Sequence, residues 1–283
     1  MPMRARNAML GAGGCVALLA LVWFAAFHIG FFRHLDQSIY LQSVDLKAHG
    51  RIASTAGHFV RLFDVNPYAY LVLAPLVVAL LRRRPRVVLA VGAIVLGANV
   101  TTEVLKHLLA APRPGSLFAG GVSWLPPASW PSGHSTAVMA LVLASVLAAS
   151  ARLRPVVAAL GASLAIAVGY SLLATGTHYP SDVLGGFLVA ASWTLCAAAA
   201  LLGAERRRSP ERERHDRVSI RAALGAPGVV VMAAVVLSGV LVVARTHDVV
   251  SYVQAHRGFV LGAAGIAALS LTLSTAVLLS VRR

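Results

Sequence analysis

The run PVVAALGASLAIAVGYSLLA, residues 155–174, decides the fold class of this chain. It contains no Asp, Glu, Lys, Arg or His, and a helix of about 20 such residues crosses the hydrocarbon core of a bilayer. Similar runs lie on both sides of it, and in the whole sequence 58% of residues are hydrophobic and only 12% are charged. Soluble domains carry about 25% charged residues. The sequence therefore predicts an all-α, polytopic membrane protein.

Apolar runs of this kind predict eight membrane-spanning helices, at roughly residues 8–32, 67–81, 87–110, 133–151, 155–174, 180–203, 226–245 and 258–281. The first run follows a basic start, as in a signal peptide. It is longer than the apolar core of such a peptide, about 7–15 residues, so we expect a retained helix. The stretch 33–66 has mixed polarity, which favours one or two amphipathic helices on the membrane surface.

Three parts are predicted along the chain. Residues 1–203 form a six-span core that includes the amphipathic segment, residues 204–225 form a charge-rich linker, and residues 226–283 add two spans. The net charge of +15 lies mainly in short Arg- and Lys-rich clusters between spans. Because short cytoplasmic loops are enriched in Lys and Arg, this charge indicates topology rather than nucleic-acid binding. It predicts cytoplasmic termini and a cytoplasmic linker, with 33–66 on the extracytoplasmic face.

Lys106 and Arg113 lie at the extracytoplasmic end of the third predicted span. Ionisable residues in or beside spans are costly and usually functional. An arginine offers a fork of donors and a lysine a point charge, a combination that suits phosphate. Basic side chains that reach out to the membrane surface would give the same pattern. Glu103, three residues before the lysine, is expected to be a helix-face partner for Lys106 or His107.

The stretch WPSGHS, residues 130–135, precedes the fourth predicted span. If Pro131 opens that helix, the amides of Ser132, Gly133 and His134 have no partners within it, and such a helix end attracts anions. The glycine lets a ligand approach the backbone closely. The histidine can give or take a proton near neutral pH. A proline-initiated helix without any ligand explains the stretch equally well when it is taken alone.

The stretch SLLATGTHYPSD, residues 171–182, joins the fifth and sixth predicted spans. If Pro180 begins the sixth helix, Asp182 lies in its first turn and His178 just before it. The carboxylate can then hold one imidazole nitrogen while the other faces a substrate, as a nucleophilic or basic histidine requires. A lone histidine near a helix end is more often structural. Three polar clusters at the same membrane face favour a site.

In order and spacing these clusters resemble the signature of the type 2 phosphatidic acid phosphatase (PAP2) superfamily. The family pattern is K-x6-R-P, then P-S-G-H, then S-R-x5-H-x3-D. Its first element matches Lys106 to Arg113-Pro114, its second matches Pro131 to His134, and its third matches Ser171, His178 and Asp182. The resemblance covers roughly residues 65–205 and does not extend to the last two spans.

The resemblance implies a lipid phosphate phosphatase that uses no metal or other cofactor. His178 would attack phosphorus, Asp182 would orient it, and His134 would protonate the leaving oxygen and then activate water. The phosphate would be bound by Lys106, Arg113, Ser132, Gly133 and Ser171. The implied partners are membrane lipids and a lipid phosphate substrate, with polyprenyl diphosphate first and phosphatidic acid or phosphatidylglycerol phosphate next, at the extracytoplasmic face of the cell membrane.

One position departs from the pattern, because Leu172 stands where the family has an arginine. Loss of a charged hydrogen bond costs about 1.5–3 kcal/mol. This leaves open a weakened or inactive relative that binds lipid headgroups without turnover. A transporter is a third class, but its polar residues would follow a path through the bilayer rather than gather at one face. The sequence identifies neither the lipid nor the oligomeric state.

Overall fold

The computed structural model describes residues 3–47, 50–113, 125–206, 228 and 246–281, and every regular element in these residues is a helix. The helices are α1 (Met3–His28), α2 (Gly30–Lys47), α3 (Gly50–Arg61), α4 (Val65–Leu81), α5 (Pro85–Leu108), α6 (Gly133–Ala148), α7 (Arg154–Ala174), α8 (Pro180–Arg206), α9 (Thr246–Ala255) and α10 (Arg257–Val281). A short 3-10 turn, Pro127–Ser129, precedes α6. Six of the described helices are long and apolar enough to cross a membrane. The predicted all-α membrane bundle is confirmed.

Five predicted spans coincide with α5, α6, α7, α8 and α10 to within a few residues at each end. The first predicted span, 8–32, was placed too late, because α1 ends at His28 and α2 begins at Gly30. Phe31 and Phe32 continue the apolar run across this break and hide it in the sequence. The seventh predicted span, 226–245, and most of the linker at 204–225 lie outside the described residues.

The second predicted span, 67–81, is part of a longer broken element. Helix α4 has only 17 residues, which is short for a bilayer core that needs about 20. Residues Ser54–Arg61 and Val65–Leu81 together have the length and composition of a span, with a bend of 58° between them. The stretch 33–66 contains two helices, α2 and α3, as the mixed polarity predicted. One face of α2 is buried against the bundle, including Asp36, Tyr40 and Ser43.

Helix α6 lies at the centre of the bundle, packed by α5, α7 and α8, and most of its side chains are buried. Helix α1 packs along α8 on the outside of this group. The starts of α6 and α8 come very close together. A Cβ atom on Gly186 would lie only 2.6 Å from the carbonyl oxygen of Ser132, so this contact requires glycine. The close approach brings the beginnings of two helices to one end of the bundle.

Arginines mark the opposite end of the bundle. Arg82 donates to the carbonyl of Ala148 at the end of α6, over 2.7 Å. Arg86 and Arg154 donate in the same way near the ends of α8 and α10, to Ala204 and Val281. Cations at helix C-termini satisfy carbonyls that have no partner within the helix and complement the helix dipole. The bundle therefore has one arginine-rich end and one end where α6 and α8 begin.

Candidate active site

The start of α6 differs from the expectation in one respect. Gly133 is the first helical residue and Ser132 is its N-cap, with the serine hydroxyl accepting from the amide of Ser135 over 3.4 Å. The amide of Ser132 donates to the carbonyl of Asp182 over 3.0 Å. The expectation that Pro131 opens the helix is therefore wrong, because serine is a preferred cap and the helix begins at Gly133. The Ser132 amide has no partner within α6, as expected, but α8 supplies an acceptor. The first-turn amides are those of Gly133 and His134.

Lys106 lies directly over this helix start. A Cβ atom on Gly133 would be 3.1 Å from the Nζ atom of Lys106. The same Nζ atom is 2.6 Å from the Oε1 atom of Glu103, which confirms the expected helix-face pair. The side chain of Lys106 is 20% exposed and that of Glu103 is 60% exposed. The lysine is thus close to the α6 amides and accessible, but it already has a carboxylate partner.

His134 contacts an acid that the sequence did not indicate. Its Nε2 atom lies 2.9 Å from the Oδ1 atom of Asp64, the residue that precedes α4. The two side chains are 31% and 55% exposed. An ionised Asp64 accepts from an Nε2 proton, and this leaves Nδ1 of the imidazole for another partner. His134 is therefore an accessible proton carrier with one nitrogen held by a carboxylate.

His178 and Asp182 form the predicted pair. The Nδ1 atom of His178 lies 3.3 Å from the Oδ2 atom of Asp182, which also accepts from the amide of Tyr179 over 3.0 Å. Asp182 is completely buried, whereas the His178 side chain keeps 14% of its surface exposed. With Nδ1 held by the carboxylate, Nε2 is the nitrogen that can meet a substrate. A fixed acid behind an accessible imidazole is the arrangement of an activated nucleophile or base.

Arg113 is held by what we call the arginine clamp, formed by Asp36 and Asp182. Its Nη1 atom donates to Asp36, over 2.5 Å, and to the hydroxyl of Ser181, over 3.0 Å, and its Nη2 atom donates to Asp182. The guanidinium carbon lies 4.5 Å from the ring centre of Phe27 and 4.3 Å from that of Tyr179. Such stacking suits arginine, whose planar cation is weakly hydrated. Two carboxylates and two rings fix this side chain.

Asp36 comes from α2 and is almost fully buried. Besides Arg113, its carboxylate accepts from the amide and the hydroxyl of Ser181, over 3.0 and 2.6 Å. Burial raises the pKa of this carboxyl above its usual range, although the guanidinium beside it acts in the opposite direction. Every oxygen of Asp36 is thus used to hold α2, Arg113 and the start of α8 together.

Ser171 and Leu172 belong to the end of α7. The Ser171 hydroxyl donates to the carbonyl of Ala167 in its own helix over 2.8 Å, so its phosphate-binding role stays a prediction. Leu172 is completely buried and is part of the main apolar core. Its side chain supplies no charge to the site, and its carbonyl accepts from the amide of Thr177.

Contacts between neighbours connect most of the predicted site residues at one end of the bundle. Lys106 reaches Gly133, the adjacent Ser132 bonds to Asp182, and Asp182 holds both Arg113 and His178. Ser171 has no hydrogen bond or ion pair with any of them among the described residues. The catalytic and phosphate-binding roles of these residues stay predictions.

Sequence reasoning missed two acids, Asp36 and Asp64. Asp36 shares the buried face of α2 with Tyr40 and Ser43. In the sequence, an acid at helical spacing from these two residues was the pattern that could have indicated a buried partner for a cation. Asp64 precedes a helix that Pro67 helps to start, which indicates a cap but does not point to His134. Asp64 gives His134 a carboxylate partner, and Asp36 gives Arg113 a second one besides Asp182. A phosphate would share Lys106 and Arg113 with carboxylates.

Residues 87–206 match the family model of the PAP2 superfamily. The matching segment extends from α5 to the end of α8 and contains all the predicted site residues. Asp36, Asp64 and the whole of α1 and α2 lie before it. No curated protein and no solved structure matches the chain.

Proposed function

We propose that this membrane protein, in which residues 87–206 match the PAP2 superfamily, hydrolyses a lipid phosphate or diphosphate through a phosphohistidine, since members of that superfamily are generally phosphatases. The observation that carries the proposal is the accessible imidazole of His178 with its Nδ1 atom on the buried carboxylate of Asp182. This arrangement leaves Nε2 as the nucleophile. Nucleophilic catalysis of this kind splits one difficult displacement into two easier ones.

In the first step, Nε2 of His178 forms a bond to phosphorus as the bond from phosphorus to the leaving oxygen breaks. The leaving oxygen takes a proton from His134. It departs as a lipid alcohol from a monoester and as a lipid phosphate from a diphosphate. Asp182 stabilises the positive charge that develops on the imidazole of His178, because its carboxylate is fixed beside Nδ1.

In the second step, a water molecule attacks the phosphohistidine. His134, now without its proton, takes a proton from this water, and the bond from Nε2 to phosphorus breaks to release inorganic phosphate. Asp64 supports both steps, since it keeps the ring of His134 in one orientation and tautomer. General acid–base catalysis of this kind contributes about 10²–10⁴-fold.

The phosphate oxygens are bound by the α6 amides and by two cations. The amides of Gly133 and His134 are in the first turn, where backbone N–H groups attract anions. Lys106 lies within reach of the same helix start. Arg113 contributes through the donors that the arginine clamp leaves. Groups that are fixed before the substrate arrives need no reorganisation when charge develops in the transition state.

A membrane lipid is the substrate that suits the location of the site. The site lies at one end of a bundle of membrane-crossing helices, where a headgroup can react while its tail stays in the bilayer. We place polyprenyl diphosphate first, and phosphatidic acid or phosphatidylglycerol phosphate next. The arginine-rich end carries Arg82, Arg86 and Arg154 and would be cytoplasmic, because short cytoplasmic loops are rich in basic residues. The site would then face the extracytoplasmic side.

The test is phosphate release by the purified protein from a panel of these lipids in EDTA, beside the His178→Ala variant. We expect turnover that EDTA does not change and that the variant loses by at least about 10³-fold, as removal of a covalent nucleophile does in other hydrolases. Turnover that requires an added metal ion would overturn the mechanism. Full activity in the variant would do the same.

Binding of lipid phosphates without turnover is the second candidate function. It is favoured by the burial of Leu172 in the apolar core, so that the site has one cation fewer than the family pattern. An arginine at this position would bury a charge among apolar side chains, which is costly without a partner. We therefore expect Leu172→Arg to lower the melting temperature without raising phosphate release, while Leu172→Met preserves both. A folded Leu172→Arg variant with faster turnover would instead identify a weakened enzyme.

A further inference from the structure

Helix α2 lies before the family-matching segment, yet it contacts both ends of the stretch that bears His178. The hydroxyl of Tyr40 donates to the carbonyl of Gly176 over 3.1 Å, and the Tyr40 ring lies 4.7 Å from that of Tyr179, centre to centre. One turn earlier, Asp36 contacts Ser181. The short connection between α7 and α8 is thus held by one face of α2.

Asp36 caps α8 from another helix. The amide of Ser181 belongs to the first turn of α8, and such amides have no partner within their own helix. It donates to the Oδ1 atom of Asp36, while the Ser181 hydroxyl donates to Oδ2. A side-chain carboxylate in this position stabilises a helix start and fixes where it begins. The orienting acid Asp182 is the next residue along this turn.

Asp36 also determines which donors of Arg113 are available. A guanidinium has five N–H donors in a fixed plane. The Nη1 atom is bonded to Asp36 and Ser181, and Nη2 to Asp182. Among the described residues the buried Nε atom has no hydrogen-bond partner. Anchored at Nη1, the arginine keeps its Nε donor and part of Nη2 for an oxyanion.

We propose that Asp36 is a positioning residue of the phosphatase site, which fixes Arg113 and the first turn of α8 so that Asp182, His178 and the free arginine donors share one geometry. This inference rests on the proposed function. It adds α2 to the catalytic unit, although α2 lies outside the segment that matches the family. Asp36 acts through Arg113 and Ser181 and does not touch the substrate.

The Asp36→Asn substitution keeps the size of the side chain and tests the role directly. Whichever way the amide is turned, its NH2 group faces a donor, either the Ser181 amide or the Arg113 guanidinium. In either orientation one of the two contacts that position the site is lost, and both contacts act mainly on the transition state. A misplacement of about 1 Å can cost 10²-fold in rate. We therefore expect kcat to fall about 10- to 100-fold with KM changed by less than about threefold.

Two further substitutions on the same face of α2 provide a graded control. Tyr40→Phe removes the hydrogen bond to Gly176 and keeps the ring, and we expect a smaller loss of kcat. Ser43→Ala removes a buried hydroxyl that bonds only within α2, to the carbonyl of Ile39 over 2.7 Å. This variant shows the effect of loosening α2 without changing the contacts of Asp36, and we expect its kcat to be unchanged.

The decisive readout is inhibition of hydrolysis by orthovanadate, an analogue of the phosphoryl-transfer transition state. Partial unfolding lowers the amount of active protein and the measured kcat but leaves the inhibition constant unchanged. A displaced arginine weakens the inhibitor itself. We expect the inhibition constant to rise about tenfold or more in Asp36→Asn, in parallel with the loss of kcat, and to stay at the wild-type value in Ser43→Ala.

The outcomes separate the inference from the function on which it rests. Active wild-type protein with an unchanged inhibition constant in Asp36→Asn would overturn the positioning role and leave the phosphatase intact. An equal rise in Ser43→Ala would do the same, because the effect would then belong to α2 as a whole. Wild-type protein that releases no phosphate from any lipid of the panel would remove the proposed function, and the inference with it.

Discussion

The two halves of the site differ in how their charges are held. In the arginine clamp, Arg113, Asp36 and Asp182 are all nearly or fully buried, and each makes several hydrogen bonds. At the accessible rim, the pairs Lys106–Glu103 and His134–Asp64 are partly exposed, and one contact joins the partners of each pair. The clamp is therefore part of the packed interior, whereas the rim is in contact with solvent.

This difference follows from solvation. Breaking a buried ion pair leaves a charge without compensation and costs about 3–5 kcal/mol. An exposed pair is worth about 0–1 kcal/mol, because water and salt screen it. Substitutions in the clamp should therefore reduce both stability and turnover, and substitutions at the rim should change turnover or affinity alone. The three predictions below test that division.

The largest effect is expected for Asp182→Asn. The substitution removes the negative charge that Arg113 and His178 share, so we expect kcat to fall about 10³–10⁴-fold, as for an orienting acid in other hydrolases. Asp36 still balances the arginine, so the free energy of unfolding should fall by about 3 kcal/mol, the lower end for a broken buried pair. Phosphate release and thermal melting in detergent measure the two losses. An unchanged melting temperature would contradict the structural role of the clamp.

His134→Ala should come second, with loss of activity alone. We expect steady-state turnover to fall about 10²–10⁴-fold, because a general acid and base is removed. The free energy of unfolding should change by less than about 0.5 kcal/mol, as at other accessible positions. With 4-nitrophenyl phosphate, whose leaving group needs no proton, a rapid burst of nitrophenol should precede slow turnover, since water attack on the phosphohistidine is impaired.

If His134→Ala loses both the burst and the steady-state turnover with 4-nitrophenyl phosphate, then His134 acts before or during the first step with every substrate. Asp64→Asn is the matched control at the same contact. It leaves the imidazole in place, so it should also give a burst and unchanged stability, with a smaller fall in steady-state turnover.

Glu103→Gln should have the smallest effect and the opposite sign. It removes the carboxylate that lies 2.6 Å from the Nζ atom of Lys106, so the lysine can bind phosphate without competition. Because the pair is partly exposed, the gain should not exceed about 1 kcal/mol. We expect KM for a lipid phosphate to fall about two- to fivefold with unchanged stability. Glu103→Asp, which keeps the charge, should resemble the wild type, and a higher KM in Glu103→Gln would show that Glu103 positions the lysine.

Local patterns predicted much of this molecule. Apolar runs predicted the bounds of α5, α7 and α10 to within a few residues, because a bilayer fixes both the length and the polarity of a spanning helix. The spacing of His178 and Asp182 predicted their contact, since both lie at the start of one helix. The pairing of Glu103 with Lys106 followed from helical periodicity.

Contacts between distant parts of the chain were not predictable in the same way. Asp36 meets Arg113 and Ser181 because α2 packs onto the start of α8, and no local pattern encodes that packing. Asp64 meets His134 for a similar reason. The amide of Ser132 was expected to lack a partner within its own helix, but its acceptor in another helix, the carbonyl of Asp182, was not foreseen. In each case a backbone or acidic partner from elsewhere in the chain satisfies the polar group.

The central claim is that His178 carries the phosphoryl group, and quenching of the reaction with a radiolabelled lipid phosphate in alkaline detergent tests it most directly. We expect a protein-bound label that is stable to alkali and labile to acid, as a phosphohistidine is. Peptide mapping should place it at His178, and His178→Ala should lack it. His134→Ala should accumulate the label from radiolabelled 4-nitrophenyl phosphate, whose leaving group needs no proton. Phosphate release by wild-type protein without any label, or a label that persists in His178→Ala, would contradict the account.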